Sequence, residues 1–461
     1  MSNELPRTTI EQEADDSYRR SNVLTAEPTI ERPTIIRYGV LGALCAAAIA
    51  YLSRNVLGVA ANDGRILSDL KITDDQLSIV MGTAFFTSYA LGQIPGGWLG
   101  QRFGSRRVLP WFALLWSICT LIAGFSTSLT ALFIIYVMIG ACQAGLFPNS
   151  AKTISNWFPS SRTAIVCGAL GSFMSIGGAL AMMTTGVMLE WVSWRWVLVV
   201  FSIPGFAWAI WFYVWFRDEP GQHTSVNASE LSLIQERTED ESREADDDSA
   251  TATDERKPIP WLRLLTSYTL WMISGQQIFR AIGYVFYSTW FPKYLTQTRG
   301  VTTTESAFLS SLPLIAVVIA GISGGWLVDK IYQQTGSKRF SRQFVGIASM
   351  FTCALFLLDA YFVTEATAAV LLISAGSFCG TFAGPCAYAV AIDTAGDHVP
   401  ICFSTMNMAG NFAAALCPTI VTTVVGLTGS WEPVLFIFVG NYILATICWA
   451  LINPDRPVVA E

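Results

Sequence analysis

The chain has 461 residues, of which 52% are hydrophobic and only 13% are charged. Soluble domains carry roughly a quarter charged residues, so this composition argues against a soluble protein and predicts one that lies largely within a lipid bilayer. The formal net charge of −6 comes largely from two polar segments, so it says little about a ligand, and we expect no nucleic-acid partner.

The first polar segment, residues 1–35, mixes acidic and basic side chains and has no apolar core. It therefore cannot be a cleaved signal peptide and predicts a disordered cytosolic tail. The second, residues 217–262, contains an acidic run from Glu239 to Asp248, a composition that cannot bury enough surface to fold alone. We expect a flexible cytosolic tether there, with at most a short helix from Ser229 to Arg237, and a short tail at 455–461.

A membrane-spanning helix needs about 20 mostly apolar residues, and about twelve stretches of the sequence meet this requirement. Half of them precede the tether and half follow it. This pattern predicts an all-α membrane protein with two pseudo-symmetric six-helix bundles, residues 36–216 and 263–454. The stretches begin near Val40, Gln76, Val108, Leu129, Ala164, Val197, Leu270, Ala307, Phe344, Ala368, Ile401 and Val434.

Basic residues in short loops predict the orientation in the membrane. Arg102, Arg106 and Arg107 lie in a short loop without acidic residues, and Lys338 and Arg342 belong to the equivalent loop of the second half. Because basic loops stay on the cytosolic side, we expect a plasma-membrane protein with both termini in the cytosol.

One apolar stretch of each half contains an arginine, Arg54 in the first half and Arg280 in the second. Each is followed, after 42 and 44 residues, by the sequence Gly-Gly-Trp-Leu, which starts at Gly96 and Gly324. An arginine at the bilayer centre costs about 2.5–3.5 kcal/mol, so it normally faces a polar cavity. Duplicated carriers bind substrate near the midplane between their halves, and we therefore predict one anion that is shared by both arginines.

Both arginines have another interpretation. Arg54 could snorkel to an interface from near the end of its span, and Gln276 and Gln277 could mark an interfacial start of the helix that carries Arg280. Apolar residues flank both arginines closely, which favours the substrate role.

At these residues the chain resembles the major facilitator superfamily. The loop signature Gly-x-x-x-Asp-Arg-x-Gly-x-(Arg/Lys)-(Arg/Lys) is matched from Gly97 to Arg107, except that Gln101 replaces the aspartate. More narrowly, the chain is similar to the anion:cation symporter family, which includes bacterial sugar-acid and aromatic-acid permeases and the vesicular glutamate and sialic acid carriers. The segments that carry this similarity are Tyr51-Leu-Ser-Arg54-Asn, Ala84 to Trp98, Phe147-Pro148-Asn-Ser and Trp157-Phe158-Pro159.

The resemblance implies that Arg54 contacts the substrate's carboxylate and that Arg280 matches a second arginine of the vesicular glutamate branch. Two departures concern proton coupling. The family's fourth span usually has an arginine and, seven residues later, a glutamate that binds a proton, where this chain has Tyr136 and Gln143. Ser53 stands where the bacterial sugar-acid carriers have an aspartate. Both carboxylates of the family's usual coupling route are therefore absent.

Further polar residues are candidates to line the substrate cavity, with helix packing as the alternative role. Tyr284 and Tyr287 follow Arg280 on one helical face, and Tyr136 shares a face with Gln143. The remaining candidates, on the second and eleventh spans, are Tyr89, Gln93, Asn407 and Asn411, where amides in a dry interior need partners.

A charged latch between helix ends is predicted in the second half, where Asp329 keeps the acid that Gln101 lacks. Arg102, Arg106 and Arg107 would form the gating loop of the first half, or would only fix the topology. The other acids near span ends, each a candidate carrier of a coupling proton or a solvated loop residue, are Asp63, Asp359 and Asp393.

These patterns predict a transporter of a small organic anion that works by alternating access. The expected substrate is a sugar acid, such as a hexuronate or aldonate, or a dicarboxylate. Moving an anion inward against 100 mV costs about 2.3 kcal/mol per charge, which favours coupling to a proton or sodium. A facilitator or exchanger of organic anions or phosphate is the alternative, and a nutrient sensor on a carrier fold is the second.

No catalytic cluster occurs within the spans, so the sequence does not predict an enzyme. The ten cysteines lie in or near apolar spans and are expected to be small buried hydrophobes. We expect no cofactor and no metal site, and a monomer in the lipid bilayer.

Overall fold

The structure is a computed structural model that describes residues 32–62, 65–235, 259–286, 290–301 and 303–458. Most of the predicted N-terminal tail, the acidic run of the tether and the candidate residues Asp63 and Tyr287 lie outside these ranges.

The regular elements of these residues are helices. The first half contains α1 (Ile36–Ala43), α2 (Ala46–Asn62), α3 (Arg65–Leu70), α4 (Asp74–Ile79), α5 (Phe85–Phe103), α6 (Ser105–Ala123), α7 (Leu129–Ala144), α8 (Leu146–Trp157), α9 (Thr163–Leu189), α10 (Trp194–Trp215) and α11 (Ala228–Gln235). The second half contains α12 (Trp261–Thr266), α13 (Tyr268–Val285), α14 (Phe291–Thr298), α15 (Thr303–Thr335), α16 (Val345–Phe362), α17 (Ala366–Thr381), α18 (Ala383–Ala395), α19 (Val399–Thr428) and α20 (Glu432–Leu451). Single π-helical turns, Val80–Ala84 and Arg339–Phe344, precede α5 and α16.

Within the described ranges, nine segments are long and apolar enough to cross a membrane. One of them, Ala366–Thr428, contains both α17–α18 and α19, which run as separate spans. Helices α5 and α13 are not among the nine, because polar residues such as Gln93 and Arg280 lower their mean hydropathy. Counting these two helices restores six spans per half, as the sequence predicts.

The two halves pack through α5 against α19 and through α9 against α15. The second glycine of each Gly-Gly pair lies at these contacts. A Cβ atom on Gly97 would lie 2.6 Å from the carbonyl oxygen of Pro400, and one on Gly325 would lie 2.5 Å from that of Ala164. Any larger side chain would push the halves apart, so the repeated motif reflects close helix approach at two symmetric places.

The first glycine of each pair faces its own half. A Cβ atom on Gly96 would lie 2.6 Å from Cα of Gly145, where α7 meets α8, and one on Gly324 would meet the ring of Phe382, where α17 meets α18. Each Gly-Gly pair therefore lets one helix touch two neighbours, and this explains why both residues are small.

Hydrogen bonds between the halves all lie on the side of the Arg102 loop, as far as the described residues show. The bond between Ser404 and the carbonyl oxygen of Gln93 lies deepest in the protein, and the bond between Gln333 and the carbonyl oxygen of Ser161 lies at its surface. The halves are therefore closed against each other on the side that the basic loops predict to be cytosolic.

The first part of the segment assigned to the tether packs against the first half. The ring of His223 contacts the rings of Trp157 and Trp215 at centroid distances of 5.9 and 5.3 Å. Burial and the nearby Arg217 hold the pKa of His223 below its ordinary value, so the ring packs in its neutral form.

The short helix α11 covers the start of the first span. Glu230 is fully buried and accepts hydrogen bonds from the backbone N–H groups of Ile36 and Arg37, at 3.2 and 3.0 Å, and from the hydroxyl of Thr34. A carboxylate at a helix N-terminus satisfies unpaired donors and complements the helix dipole. The segment that follows α10 is therefore anchored at least as far as α11.

Candidate functional site between the halves

Arg54 lies on α2 with its guanidinium enclosed by aromatic rings. Its Cζ atom is 4.3 and 4.4 Å from the ring centroids of Phe85 and Phe86, and 5.0 and 5.5 Å from those of Tyr51 and Tyr89. Aromatic faces attract a cation and partly replace its hydration.

The aromatic rings carry no net charge, so they do not neutralise the positive charge of Arg54. No carboxylate in the described ranges pairs with Arg54, and its side chain is partly exposed. An unpaired charge at this depth is costly, so the arrangement favours an anion from solution beside the guanidinium.

Arg280 lies on α13 and is held by an amide. Its Nε and Nη2 atoms donate to Gln277 Oε1 at 3.2 and 3.0 Å, and its Cζ atom lies 5.9 Å from the ring of Tyr388 on α18. Gln277 is buried. Gln276 is buried as well, and α13 begins at Tyr268, eight residues before Gln276, so these two residues do not mark the start of the helix.

Tyr284 connects the two arginines. It is 42% exposed to solvent, yet the charges of Arg54 and Arg280 and the hydroxyls of Tyr51 and Tyr388 all act on its hydroxyl. A side chain that is both exposed and surrounded by two halves lines a cavity. The two arginines therefore lie within electrostatic range of the same exposed side chain, Tyr284, and these residues form the candidate site.

The other polar candidates lie next to this space to different degrees. Tyr89 is buried beside Arg54, with its hydroxyl close to the amides of Gln93 and Asn407. Asn411 donates to the carbonyl oxygen of Asn407 at 2.8 Å, one helical turn back, and is partly exposed. This group brings α5 and α19, from opposite halves, to one wall of the cavity.

Tyr136 and Gln143 are buried in the first half. The amide of Gln143 donates to the carbonyl oxygen of Ala50 and to the hydroxyl of Ser53, both at 3.1 Å, which fastens α7 to α2 directly beside Arg54. Tyr136 is fully buried among apolar residues. Both side chains thus support the arginine helix from behind.

Asp329 joins the halves on the closed side. It accepts hydrogen bonds from the backbone N–H groups of Ala164 and Ile165 at the start of α9, at 3.1 and 2.7 Å. Arg342 pairs with Asp329 at 3.2 Å and donates to the carbonyl oxygen of Ser160 at 2.9 Å. The second half therefore binds the N-terminal end of α9 through one acidic residue, Asp329, and one basic residue, Arg342.

The equivalent residue of the first half, Gln101, contacts His398 at 2.7 Å, just before α19 begins. The loop arginines do not join the halves in this way. Arg102 stacks on Trp98 and Phe103, and Arg106 donates to the carbonyl oxygen of Tyr213. Arg107 is exposed.

Sequence reasoning missed several partners of the charged residues. Gln277 and Tyr388 orient Arg280, and Arg342 with Asp393 completes the Asp329 latch. Helical spacing gives a signal only for Gln277, which is three residues from Arg280 on the same helix. The others come from different helices, where spacing along the chain carries no information.

A family profile for the Major Facilitator Superfamily matches residues 43–399. The chain belongs to the Major Facilitator Superfamily. The resemblance noted from the loop motifs and the predicted two-bundle fold are confirmed. Proteins of this superfamily are membrane transporters and not enzymes, and the chain is accordingly a multi-pass integral membrane protein.

Curated relatives within the superfamily are carriers of organic acids. The chain is 30% identical over 397 residues to the probable sulfoacetate transporter SauU of Cupriavidus necator, covering 86% of this chain and 89% of the relative. It is 30% identical over 431 residues to the probable galactarate/D-glucarate transporter GudP of Bacillus subtilis, covering 90% and 91%.

Solved superfamily structures share the fold. The proton:xylose symporter XylE gives a TM-score of 0.69 at 14% identity, covering 92% of this chain and 98% of that chain. The E. coli fucose:proton symporter FucP gives 0.63 at 14% identity, covering 91% and 98%.

Proposed function

We propose that the protein carries a small organic dianion, with one anionic group at each end, across the plasma membrane by alternating access. Arg54 binds one end and Arg280 binds the other, and Tyr284 with Tyr89 contacts the polar middle of the substrate. The leading substrates are sugar acids with two carboxylates, and other short dicarboxylates or carboxylate-sulfonates follow.

This proposal rests on two arginines, one from each half, that both act on Tyr284 and that no carboxylate in the described ranges pairs with. A single bound monoanion pairs with only one of these half-buried arginines, whereas a dianion pairs with both. Galactarate, glucarate and sulfoacetate, the substrates in the names of the two relatives above, are all dianions. Hexuronates and aldonates carry one carboxylate and are the weaker candidates.

Alternating access would proceed from the state described here, which is closed on the basic-loop side. Opening that side requires α9 to leave Asp329 and α19 to leave Gln101. We propose these contacts as the gate, with Arg102, Arg106 and Arg107 fixing the loop beside it on the cytosolic side and both termini in the cytosol. The protein would act as a monomer, since the site needs residues of one chain only.

Transport coupled to a proton or sodium is part of this proposal, because an inside-negative potential opposes dianion entry. Exchange of one anion for another is the second candidate. It is favoured by Gln143 and Ser53, which are hydrogen-bonded to each other where related carriers place carboxylates.

Uptake into proteoliposomes would test the proposal. Labelled D-glucarate, D-galactarate, sulfoacetate, D-glucuronate, D-galactonate and phosphate would be compared with and without proton, sodium or potential gradients. We expect dianion uptake in the wild type, its loss in Arg54→Ala and Arg280→Ala, and little change in Asp359→Asn, whose side chain is exposed and lies outside the proposed site and gate. Normal dianion uptake by both cavity variants would overturn the site assignment.

A further inference from the structure

A buried cluster of charged side chains lies between the proposed substrate site and the closed side of the protein. Arg342 has no exposed side-chain surface, and it faces two carboxylates. Its Nη1 atom is 3.2 Å from Asp329 Oδ1, and its Nε atom is 3.5 Å from Asp393 Oδ2. The side chains of Asp329 and Asp393 are 5% and 1% exposed. With both acids ionised, one positive charge is buried with two negative charges.

The two carboxylates differ in how well they are satisfied. Both oxygens of Asp329 accept hydrogen bonds, Oδ1 from Ala164 and Arg342 and Oδ2 from Ile165. Asp393 Oδ2 accepts from Arg342, but Asp393 Oδ1 is buried without a hydrogen-bond partner. A buried, ionised oxygen without a donor is expensive, whereas a protonated one removes the excess charge.

We propose that Asp393 is the binding site of the coupling proton, and this rests on the proposed transport of an organic anion. A hydronium ion transfers its proton to Asp393 Oδ1: one O–H bond of the hydronium breaks, the O–H bond of the carboxylic acid forms, and water is released. The cluster then contains one positive and one negative charge and is neutral while the gate is closed.

Among the described residues of the cluster, Asp393 is the acid that has a carboxylate oxygen without a hydrogen-bond donor. Helix α15 contributes Asp329 and also Tyr332, whose ring centroid is 5.3 Å from Arg342 Cζ. Helix α9 contributes its N-terminal backbone donors and Cys167, and α18 contributes Cys386, two thiols that interact electrostatically with the cluster. The remaining described candidate acid, Asp359, is exposed.

The position of Asp393 connects it both to the substrate site and to the gate. It follows Tyr388, which lies beside Arg280, by five residues on α18, a rise of about 7.5 Å. Cys167 lies within electrostatic range of both Tyr388 and the cluster. When the gate opens, α9 withdraws its donors from Asp329 and water reaches the carboxylates. Water stabilises the ionised form, and the proton leaves to the cytosol.

Transport of labelled D-glucarate by reconstituted protein would test the proposal in two modes. The first is accumulation driven by a proton gradient, and the second is exchange of labelled for unlabelled substrate at equal pH. One coupled proton supports about tenfold accumulation for a gradient of about one pH unit. We expect Asp393→Asn to lose this accumulation but to keep exchange within about threefold of the wild type, and Asp393→Glu to keep both.

Gradient-driven accumulation by Asp393→Asn at the wild-type level would overturn the proton site while leaving the proposed function intact. Absence of both modes in the wild type, for every member of the substrate panel, would instead overturn the proposed function. The exchange assay therefore separates the two failures.

An infrared measurement covers the case in which Asp393→Asn loses both modes through misfolding. We expect wild-type protein in lipid to show the carbonyl band of a protonated buried carboxyl at neutral pH. Asp393→Glu should shift this band, whereas Asp359→Asn, which changes an exposed acid, should leave it in place. A wild-type spectrum without the band, or a band unaffected by Asp393→Glu, would overturn the proposal.

Discussion

The two halves use the same Gly-Gly pair to approach each other but hold the resulting contact differently. Beyond Gly325, Asp329 grips the start of α9 together with Arg342, whereas beyond Gly97, Gln101 meets His398 without a charged pair. The two arginines of the proposed substrate site differ as well. Arg54 lies among aromatic rings, and Arg280 is held by an amide. Both halves thus share the close helix contact at the Gly-Gly pair, but the charged and polar partners next to that contact and next to the two arginines differ.

The largest expected effect concerns the two arginines. Because an ammonium keeps the charge but cannot replace a stacked, bidentate guanidinium, we expect Arg54→Lys to lower kcat/KM for D-glucarate by about 100-fold. Lysine lacks the planar group that lies over Phe85 and Phe86. Arg280→Lys should lose only about tenfold, since an ammonium can still donate to Gln277. Equal losses measured by initial uptake rates would mean that the two environments are not functionally different.

A methyl group at the inter-half glycine should have the next largest effect. In Gly325→Ala the new Cβ would meet backbone atoms of Ala164 and Ile165 at 2.5 and 2.7 Å. Such overpacking costs about 1–3 kcal/mol, so we expect about 30-fold slower uptake and a lower Tm. Gly171→Ala in α9 is the control, because nothing lies within 4 Å of its Cβ position. A Tm for Gly325→Ala equal to that of Gly171→Ala would contradict the tight contact.

The charged latch should hold more strongly than the neutral one. Hydrogen bonds to charged groups contribute about 1.5–3 kcal/mol, so Asp329→Asn should raise the open population by at least about tenfold. Gln101→Leu should raise it by no more than about fivefold, since a neutral bond contributes about 1 kcal/mol. Cys167 is buried beneath the latch and reports opening through its rate of maleimide labelling, read by mass spectrometry. Faster labelling in Gln101→Leu than in Asp329→Asn would reverse this ranking.

The smallest effect should come from the amide that orients Arg280. Gln277→Leu removes an acceptor from the guanidinium, and we expect KM for D-glucarate to rise about fivefold. Gln276→Leu is the matched control. Gln276 is the neighbouring buried amide, and its Oε1 atom has no partner, so apolar replacement should change KM by less than about twofold. Similar KM values in the two variants would show that Gln277 does not orient Arg280.

Hydropathy and repetition predict much of this protein from its sequence. The breaks in apolar sequence at Arg54 and Arg280 locate the site, because a charge at that depth needs a reason. Polar residues also hide two spans, since α5 and α13 fall below the hydropathy of an ordinary span, whereas the helix that carries Arg54 is recognised as one. Gln93 and Arg280 thus weaken the signal that would otherwise identify their own helices as spans.

The charge cluster could not be predicted in the same way. Arg342 belongs by sequence to a basic loop that sets topology, yet it is fully buried between Asp329 and Asp393. Those three residues come from three different helical segments, and only packing brings them together. The positive-inside rule identifies such a residue as basic and cytosolic, but it cannot distinguish one in solvent from one in the gate.

The cap on the first span has a consequence for biosynthesis. The backbone donors at the start of α1 are paired by Glu230, a residue 194 positions downstream of Ile36 and beyond the sixth span. The first span therefore leaves the ribosome long before its own N-terminal partner has been translated. It stays incompletely capped while five further spans are inserted, and the docking of α11 closes the unit. We therefore expect the first half to complete this cap only after α11 has been translated.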